Sequence, residues 1–335
     1  MPAEWDRHAA TWLAWPHNVS DWPGRFAPIP WVYAEIVRRV SAGEIVRLLA
    51  GTAALEQKAR RVLQRAGVAL DQVEFHRIST DRIWTRDSGP IFVRSKGGRA
   101  IARFRFNGWA KYPNYKKDTL IPERAARALK LPLLDVGGAV LEGGAIDVNG
   151  AGSILATEEC LLDPEVQVRN PGFLRGDYEA LFRDALGAGN TVWLGRGLDG
   201  DDTHGHVDDL ARFVSRRTIV LCAEKNPGDA NYALLAENRE RLASARLEDG
   251  SRPEVVALPM PEPVVFEGQR LPASYANFYI CNAAVLVPVF DDPSDRIALG
   301  ILAELFRDRP VIGINARDLV WGLGTLHCLS QQEPA

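Results

Sequence analysis

Hydrophobic and polar positions along the chain follow a helical period in some segments and an extended one in others. In the last helical segment, for example, Ile297, Ile301, Leu302 and Leu305 fall on one face of a helix. A first helix is expected near residues 31–42. The five later helical segments have midpoints about 60 residues apart, which indicates a repeated unit. They are Thr52–Gly67, Thr119–Lys130, Gly176–Gly187, Asp229–Ala245 and Ser294–Asp308.

A short β-type run follows each of these five helices, and each run leads into a loop rich in Gly, Asp, Pro or Trp. A second extended stretch follows most of the loops, as at Ile91–Arg94, Ile146–Val148 and Ala211–Val214. The chain is therefore predicted to contain five helix–strand–loop–strand units. The first strands of the units are Val73–Ile78, Leu131–Val136, Thr191–Gly195, Val255–Pro259 and Val311–Asn315.

Five such units favour an α/β fold that closes around an axis and forms a single domain over residues 1–335. Closure removes the exposed strand edges that an open array would present to other chains. It would also bring the loops after equivalent strands to one mouth. An open, doubly wound sheet is the competing interpretation of the same pattern.

The composition of the 335-residue chain is that of an ordinary soluble protein, with 46% apolar and 25% charged residues. A net charge of −3 gives no support to a nucleic-acid or anionic-membrane partner. No apolar run approaches the ~18 residues that a membrane-spanning helix needs, and the first residues do not resemble a secretory signal. The four cysteines contain no Cys-x-x-Cys motif, which argues against a disulfide framework or a zinc ribbon. We therefore expect a cytoplasmic protein, and the sequence leaves a homo-oligomer open.

The predicted loops concentrate the side chains that are capable of chemistry. If the loops meet, the mouth holds a thiol, imidazoles and several carboxylates but almost no lysine. Such a lining is typical of a site where a nucleophile attacks a cationic substrate. The residues are Trp84 and Asp87 in the first loop, Glu142 in the second, Asp202, His206 and Asp208 in the third, and Cys328 in the last.

Taken singly, several of these residues have an ordinary structural explanation. A lone Cys328 is more often a small buried hydrophobe than a nucleophile, although the polar residues beside it weaken that interpretation. Asp87 precedes Ser-Gly-Pro and suits a turn, whereas Trp84 suits packing. Glu142 precedes two glycines and suits an exposed loop. The residue types alone leave these alternatives open.

The segment His204-Gly205-His206-Val207-Asp208 supports two different hypotheses. In a strand, residues i, i+2 and i+4 share one face, so two histidines and an aspartate would form a set of metal ligands. A metal-dependent hydrolase is therefore a rival hypothesis. The same alternation suits His206 as a general acid–base beside Asp208, and the other histidines form no second spaced pair.

A set of short motifs runs in order through nearly the whole chain. It comprises Met1-Pro2-Ala3-Glu4-Trp5, Trp84-Thr85-Arg86-Asp87-Ser88-Gly89-Pro90, Asn107-Gly108-Trp109, Glu142-Gly143-Gly144, Gly205-His206-Val207-Asp208 and His327-Cys328-Leu329-Ser330. This set resembles the agmatine deiminase family, which is related to the bacterial peptidylarginine deiminases within the guanidine-modifying α/β-propeller superfamily. The resemblance implies a five-bladed, pseudo-symmetric α/β propeller, in agreement with the five units.

The resemblance also implies catalytic roles for individual residues. Cys328 resembles the family's nucleophile, His206 its general acid–base and Glu142 the carboxylate that orients the histidine. Asp87 and Asp208 resemble the pair that grips the guanidinium group of the substrate.

The substrate implied by the resemblance is a small cationic guanidine. Trp84 matches a residue of the substrate channel, and Asp202 matches an acidic position that could meet the distal amine of agmatine. The implied reaction converts agmatine to N-carbamoylputrescine and ammonia through a covalent thiouronium intermediate on Cys328. It requires no metal and no organic cofactor.

The chemistry of a guanidine fits these roles. A guanidinium group is planar and stays protonated at neutral pH, and paired carboxylates can each accept two of its N–H groups. A neutral thiol is a weak nucleophile, so the reaction needs a thiolate, and a neighbouring cation lowers the pKa of a cysteine. Either His206 or the guanidinium itself can supply that cation beside Cys328.

The chain departs from the family's pattern next to the nucleophile. Where family members commonly have three glycines and then Asn-Ile, this chain has Gly322-Leu323-Gly324-Thr325-Leu326. Arginine, peptidyl arginine or another guanidine therefore remains an alternative substrate, although acidic Asp201 and Asp202 favour an amine over a carboxylate. A propeller that only binds ligands is a further hypothesis, against which the retained cysteine, histidine and acids count.

Overall fold

The computed structural model describes all residues from Met1 to Ala335, and helices alternate with short strands along the whole chain. None of the helices combines the length and the apolar character needed to cross a membrane. The helices are α1 (Ile29–Val40), α2 (Ala53–Arg65), α3 (Thr85–Ser88), α4 (Ile121–Leu129), α5 (Glu158–Leu162), α6 (Arg175–Leu181), α7 (Ala230–Ser244) and α8 (Ser294–Leu305).

The strands form five sheets of three or four strands each and one separate hairpin. They are β1 (His8–Ala14), β2 (Ile45–Leu49), β3 (Val73–His76), β4 (Ile91–Ser95), β5 (Gly98–Arg105), β6 (Leu133–Val140), β7 (Asp147–Val148), β8 (Ser153–Thr157), β9 (Asn190–Leu194), β10 (Ala211–Phe213), β11 (Thr218–Ala223), β12 (Glu254–Pro259), β13 (Val265–Phe266), β14 (Gln269–Arg270), β15 (Tyr279–Ile280), β16 (Val285–Val289), β17 (Val311–Asn315) and β18 (Gln331–Pro334).

Four of the sheets are built in the same way, in the orders β4-β5-β6, β7-β8-β9, β10-β11-β12 and β15-β16-β17. In each sheet the first strand pairs antiparallel with the second, and the second pairs parallel with the third. A parallel pair needs a crossover connection, which a helix supplies in each of these units. The repeated unit is therefore strand–strand–helix–strand.

The fifth sheet is formed by both ends of the chain, in the order β18-β1-β2-β3. The C-terminal strand β18 pairs antiparallel with β1, so that Trp12 faces Gln331. β1, β2 and β3 are parallel to one another, with α1 and α2 as their crossovers. This pairing fixes the segment that precedes β18, which contains Cys328, against the N-terminal residues.

All six predicted helices are present, with ends that differ by a few residues. The segment Asp229–Ala245, for example, is α7 at Ala230–Ser244, with the Asp229 carboxylate accepting from the backbone N–H of Asn231 at 2.8 Å. The segment Gly176–Gly187 is α6 followed by a π-helical turn. The helical period along the sequence was therefore a sound guide to these elements.

The predicted repeat was incomplete, because the central strand of each three-stranded sheet was missed. These strands are β5, β8, β11 and β16. The two strands on either side of each predicted loop also belong to different sheets, as with β6 and β7. The helix–strand–loop–strand unit therefore crosses from one sheet into the next, and the loops are the connections between sheets.

The core is continuous across most of the molecule and is rich in aromatic side chains. Trp12, Trp15 and Trp22 from the N-terminal region are fully buried in it, whereas Trp31 is about half exposed. The N-terminal tryptophans therefore pack mainly as core residues. All four cysteines are buried and none forms a disulfide.

Four of the five connections between sheets position the side chains that the sequence singled out. Trp84 and Asp87 lie between β3 and β4, and Glu142 lies between β6 and β7. Asp202, His206 and Asp208 lie between β9 and β10, and Cys328 lies between β17 and β18. The remaining connection, between β12 and β15, carries the β13–β14 hairpin and Asn277.

Candidate active site

Tight turns hold the predicted acidic and imidazole side chains. Asp87 lies on the single turn of α3. His206 immediately precedes a 3₁₀ turn at Val207–Asp209, which contains Asp208, and Glu142 immediately precedes another 3₁₀ turn. All four of these side chains are at most 5% exposed. The turns and the surrounding protein therefore fix these side chains, which have no freedom to move into solvent.

Cys328 lies within reach of the third connection and of the β12–β15 connection. Its Sγ is 3.8 Å from Oδ2 of Asp208, and Nδ2 of Asn277 donates to the Sγ at 3.1 Å. Burial raises the pKa of the Cys328 thiol well above its ordinary value, and the neighbouring acids Asp208, Asp209 and Asp87 raise it further. The sulfur is therefore held as a neutral thiol.

The two carboxylates assigned to the guanidinium both face His206. Its Nδ1 lies 3.8 Å from Oδ1 of Asp87 and 3.8 Å from Oδ1 of Asp208. Asp87 accepts from the backbone N–H of Gly144 and from Nε1 of Trp109, each at 3.0 Å. Burial nevertheless raises the pKa of Asp87 to about 6, helped by the neighbouring acids.

Asp208 is affected in the opposite direction. Burial alone would raise the pKa of Asp208, but a 2.6 Å hydrogen bond between its Oδ2 and Nδ1 of His327, together with attraction by His327, His206 and Arg212, outweighs this and lowers it. Its Oδ1 has no hydrogen-bond partner. Of the two carboxylates, Asp208 is therefore firmly ionised, whereas Asp87 exchanges its proton near neutral pH.

His206 is completely buried, and neither of its ring nitrogens has a hydrogen-bond partner. Burial alone would lower the pKa of His206, but attraction by Asp87, Cys160 and Asp208 raises it well above its ordinary value. The imidazole is therefore held in its protonated form, with nitrogen atoms available to a substrate or to water.

Gly144 allows this close arrangement of charged groups. A Cβ atom at this position would lie 2.6 Å from Nδ1 of His206, 2.8 Å from Oδ1 of Asp87 and 3.1 Å from Oδ2 of Asp208. Any side chain would therefore push the acids and the imidazole apart.

Glu142 lies beside His206 without a hydrogen bond to it. Its Oε1 accepts from Nε of Arg169 at 3.0 Å, whereas its Oε2 has no partner. Cys160, which sequence analysis did not single out, lies close to both residues, because the nearest ligand-type atoms of Glu142, Cys160 and His206 are within 4.8 Å of one another. Glu142 is therefore placed to contact the imidazole after a small movement.

Trp84 and Asp202 both line the small cavity above Cys328, but Asp202 is already paired. The cavity has a volume of about 30 Å³, and Asp87, Trp109, Tyr112 and Leu323 also contribute to its walls. Oδ1 of Asp202 is 2.6 Å from Nζ of Lys111, and the hydroxyl of Tyr112 donates to Oδ2 at 2.7 Å.

The prediction that Asp201 and Asp202 select an amine by charge alone was therefore too simple. Both carboxylate oxygens of Asp201 accept hydrogen bonds from its own loop: from Thr203 and from the backbone N–H groups of Gly205 and His206. The carboxylate of Asp202 is neutralised by the ammonium group of Lys111. Neither aspartate presents an unpaired negative charge to the cavity.

The strand geometry behind the metal hypothesis was wrong. Residues 204–206 lie in a loop that leads into the 3₁₀ turn at Val207–Asp209, so His204, His206 and Asp208 do not share one face of a strand. His204 instead has a positive φ of 64° and pairs through Nε2 with Asp163 at 2.9 Å. Besides Glu142, Cys160 and His206, the residues whose ligand-type atoms lie within 4.8 Å of one another are Asp208, Asp209 and Cys328.

Asn277 and Thr325 are site residues that the sequence analysis did not assign. Oδ1 of Asn277 accepts from Oγ1 of Thr325 at 2.7 Å and from the backbone N–H of His327 at 3.1 Å. These bonds orient the Asn277 amide so that its Nδ2 reaches the sulfur of Cys328. Nothing in the spacing of residues along the sequence indicated the contact between Asn277 and Cys328.

A buried chain of charges connects Asp208 to the N-terminus, and it was also missed. His327 lies between two carboxylates, with Nδ1 at 2.6 Å from Asp208 and Nε2 at 2.8 Å from Glu4. Glu4 also accepts from Arg86 at 3.0 Å and from Arg212 at 2.9 Å. Although burial opposes it, the attraction of these cations holds the pKa of Glu4 well below its ordinary value.

Leu323, in the segment where family members commonly have three glycines, adopts a backbone conformation that glycine favours. It adopts a positive φ of 69°, in the left-handed region that costs a non-glycine residue roughly 1–2 kcal/mol. Its neighbour Gly324 has no room for a side chain, since a Cβ would lie 2.7 Å from the Trp84 ring and 3.1 Å from Cβ of Cys328. Leu323 thus forms part of the cavity wall at the expense of local strain.

A buried thiol, a protonated imidazole and paired carboxylates in this α/β fold are the equipment of a thiol-dependent hydrolase for cationic substrates. Residues 1–334 match the family of Porphyromonas-type peptidyl-arginine deiminases, and the chain belongs to that family. Among curated relatives, the agmatine deiminase of Stutzerimonas stutzeri is 33% identical, and the match covers 100% of this chain and 95% of that protein.

Two solved structures of similar proteins extend the match to three dimensions. The agmatine deiminase of Enterococcus faecalis has a TM-score of 0.92 and 27% identity, covering 100% of this chain and 95% of its own. A cysteine-to-serine variant of the C. jejuni agmatine deiminase with substrate bound has a TM-score of 0.89 and 30% identity, covering 100% of this chain and 96% of its own.

The charge chain gives a first testable prediction, for Glu4→Gln. Losing the Glu4 carboxylate weakens the hold of His327 on Asp208, so the pKa of Asp208 should rise. The acid limb of the kcat/KM profile for the guanidine substrate should then become steeper than that of the wild type, because Asp208 becomes protonated in addition to Asp87, while removing a buried charge partner should lower the unfolding free energy by about 3 kcal/mol.

Glu333→Gln is the matched control for this variant. Glu333 is also a fully buried carboxylate, bonded to Trp12, Arg47 and Arg99, but it makes no contact with the site. It should lose stability without steepening the acid limb. An unchanged acid limb in Glu4→Gln would contradict the proposed link between Glu4 and Asp208.

Proposed function

We propose that this chain is a deiminase that hydrolyses agmatine to N-carbamoylputrescine and ammonia, with Cys328 as the nucleophile. The observation that carries the proposal is the meeting of Cys328, Asp208, Asp87 and His206 in one buried site, with the sulfur 3.8 Å from Asp208 and the imidazole 3.8 Å from both acids. The agmatine deiminases among its relatives and structural neighbours supply the substrate.

Substrate binding itself activates the nucleophile in this proposal. Asp87 and Asp208 grip the guanidinium by paired hydrogen bonds, which places a delocalised cation next to the sulfur of Cys328. The cation counteracts the acids that raise the pKa of the thiol, so the thiol loses its proton to solvent only when the substrate is in place. The substrate-free enzyme is thereby protected from side reactions of a thiolate.

The chemical steps then follow from the positions of Cys328 and His206. The thiolate forms a bond to the guanidino carbon, and protonated His206 gives its proton to one amino group as the C–N bond breaks and ammonia leaves. The remaining thiouronium is attacked by water, whose proton His206 accepts. The C–S bond then breaks and the hydroxyl proton of the intermediate passes to the departing sulfur, which releases the ureido product and restores the thiol of Cys328.

Supporting roles are proposed for three further residues. Glu142, whose Oε2 is unpartnered, orients the His206 imidazole during the proton transfers. Trp84, buried and packed against Trp22 at 5.7 Å between ring centroids, forms a rigid wall of the substrate channel. Asp202 receives the distal ammonium group of agmatine. No metal or organic cofactor has a step in this reaction.

We also propose that the five sheets are the blades of a single closed propeller spanning residues 1–335. The pairing of β18 with β1 joins the chain ends in one blade, as closure requires, and each of the five inter-sheet connections contributes a residue to the same site. A cytoplasmic location is proposed as well, and it rests on the sequence features alone.

The direct test is a colorimetric assay for ureido product with Cys328→Ser. We expect the wild type to convert agmatine and the variant to lose at least about 10³-fold in kcat, because a hydroxyl at this position has no activating base. Cys281→Ser, which changes another fully buried thiol whose Sγ donates to the carbonyl oxygen of Ala284, is the matched control and should retain activity. Wild-type turnover by Cys328→Ser would eliminate Cys328 as the nucleophile.

The pKa of Asp87 predicts the acid limb of the activity profile. Since kcat/KM reports groups of the free enzyme, it should fall about tenfold per pH unit below about pH 6, where Asp87 becomes protonated and loses its grip on the guanidinium. Steady-state measurements between about pH 4.5 and pH 8 check this. A profile that stays flat down to about pH 5 would show that Asp87 ionisation is not needed.

The same shift predicts how stability depends on pH. The pKa of Asp87 is higher in the folded protein, about 6, than in an unfolded chain, so the folded state favours the protonated carboxyl and loses stability as pH rises through this range. The wild type should therefore lose about 2 kcal/mol relative to Asp87→Asn between about pH 4.5 and pH 7.5. Denaturant unfolding of both proteins at the two pH values measures this difference.

A further inference from the structure

An ion pair stands at the mouth of the cavity that leads to Cys328. Nζ of Lys111 lies 2.6 Å from Oδ1 of Asp202, and the side chains are 41% and 13% exposed respectively. By contrast, Cys328 and Asp87 are only 6% and 5% exposed. The pair therefore occupies the outer part of the site, and the reacting groups lie beneath it.

The backbone beneath Lys111 is held in an unusual conformation. Gly108, Trp109 and Ala110 all have positive φ angles, of 68°, 57° and 53°. Gly108 cannot be replaced, because a Cβ there would lie 2.3 Å from the carbonyl oxygen of Tyr112. This left-handed turn presents Trp109 to Asp87 at 3.0 Å and directs Lys111 to Asp202.

The turn is also tied to the loop that carries Asp202. Nε2 of Gln167 donates to the carbonyl oxygens of both Trp109 and Asp202, at 3.1 and 3.2 Å. The hydroxyl of Tyr112 donates to the second oxygen of Asp202. Lys111 is thus placed by several fixed contacts and is not merely an exposed side chain that happens to lie near an acid.

The cavity in this arrangement is too small to hold a substrate tail that reaches Asp202. Its volume of about 30 Å³ holds one or two water molecules. The ammonium group of Lys111 is also chemically the same as the primary ammonium group at the far end of an aminoalkyl guanidine. A substrate tail that reaches Asp202 must therefore take the position that the lysine ammonium holds.

We propose that Lys111 is a specificity-determining residue that acts as an internal competitor for Asp202, so that tight binding requires a substrate tail cationic enough to replace it. This inference rests on the proposed function, because it assigns Asp202 to the tail of an aminoalkyl guanidine. A neutral tail cannot displace the lysine and binds with the ion pair intact. An ammonium tail exchanges one ion pair for another and frees Lys111 to solvent.

The test compares two substrates with the same four-carbon chain: agmatine and n-butylguanidine, which lacks the distal amine. In Lys111→Met we expect KM for agmatine to fall about threefold, as removal of a partly exposed ion pair allows, with kcat unchanged. KM for n-butylguanidine should not change. Lys111→Arg keeps the cation and should restore the wild-type KM, and Lys96→Met, in the exposed turn between β4 and β5, controls for the lost net charge.

Asp202 variants separate competition from simple opening of the mouth. Asp202→Asn should raise KM for agmatine only, and Lys111→Met should have no further effect in that background. An equal fall in KM for both substrates, or no fall for agmatine, would overturn the proposal. So would wild-type turnover of arginine that Lys111→Met abolishes, since Lys111 would then be a receptor for a carboxylate.

Different results would refute the proposed function and the proposed role of Lys111. A wild-type enzyme that converts neither agmatine nor n-butylguanidine refutes the proposed function and this inference with it. A wild-type enzyme that converts agmatine, with identical KM values in Lys111→Met and Lys96→Met, refutes the inference alone.

Discussion

The crowding of buried acids around one sulfur is the constraint on which the rest of this site depends. Asp87, Asp208 and Asp209 are all within a few per cent of complete burial, and each raises the pKa of the Cys328 thiol. Burial and the adjacent Asp208 also raise the pKa of Asp209 well above its usual range. Like charges in a water-poor interior repel, and a planar cation placed among them relieves that repulsion.

The scaffold keeps this unfavourable cluster in place by anchoring it to cations on its far side. Arg86 and Arg212 meet at Glu4, and Glu4 and Asp208 share His327. The N-terminal segment reaches this position because the chain ends pair in one sheet. The charged groups run from the two arginines through Glu4 and His327 to Oδ2 of Asp208. This leaves Oδ1 of Asp208 without a partner and open to a ligand.

Much of this could be predicted from the sequence, and the reason is that helices and site motifs are local features. The six helices and the loops with Asp87, Glu142, His206, Asp208 and Cys328 were all identified, and the structure brings these side chains together. The central strands were missed because they follow tight hairpins without a helix to mark them. The spacing around His206 suited a general acid–base beside Asp208 as well as a metal site, and the family resemblance predicted the thiol chemistry.

Other features could not be predicted, because they depend on contacts between distant parts of the chain. Glu4 and His327 are 323 positions apart, and no local pattern indicates that they share a hydrogen bond. The alternation around His204 suggested a strand, whereas the buried position of His206 is set by a 3₁₀ turn. The charge of Asp202 was visible in the sequence, but its neutralisation by Lys111 depends on a left-handed turn at Gly108.

Capture of the enzyme during turnover tests the central claim most directly. Wild-type protein mixed with saturating agmatine, quenched rapidly in acid and digested should yield a peptide containing Cys328 that carries the mass of agmatine less one ammonia. The same peptide from protein quenched without substrate should be unmodified. Turnover with no such adduct at any quench time, or an adduct on Cys160, Cys222 or Cys281 instead, would contradict a covalent mechanism at Cys328.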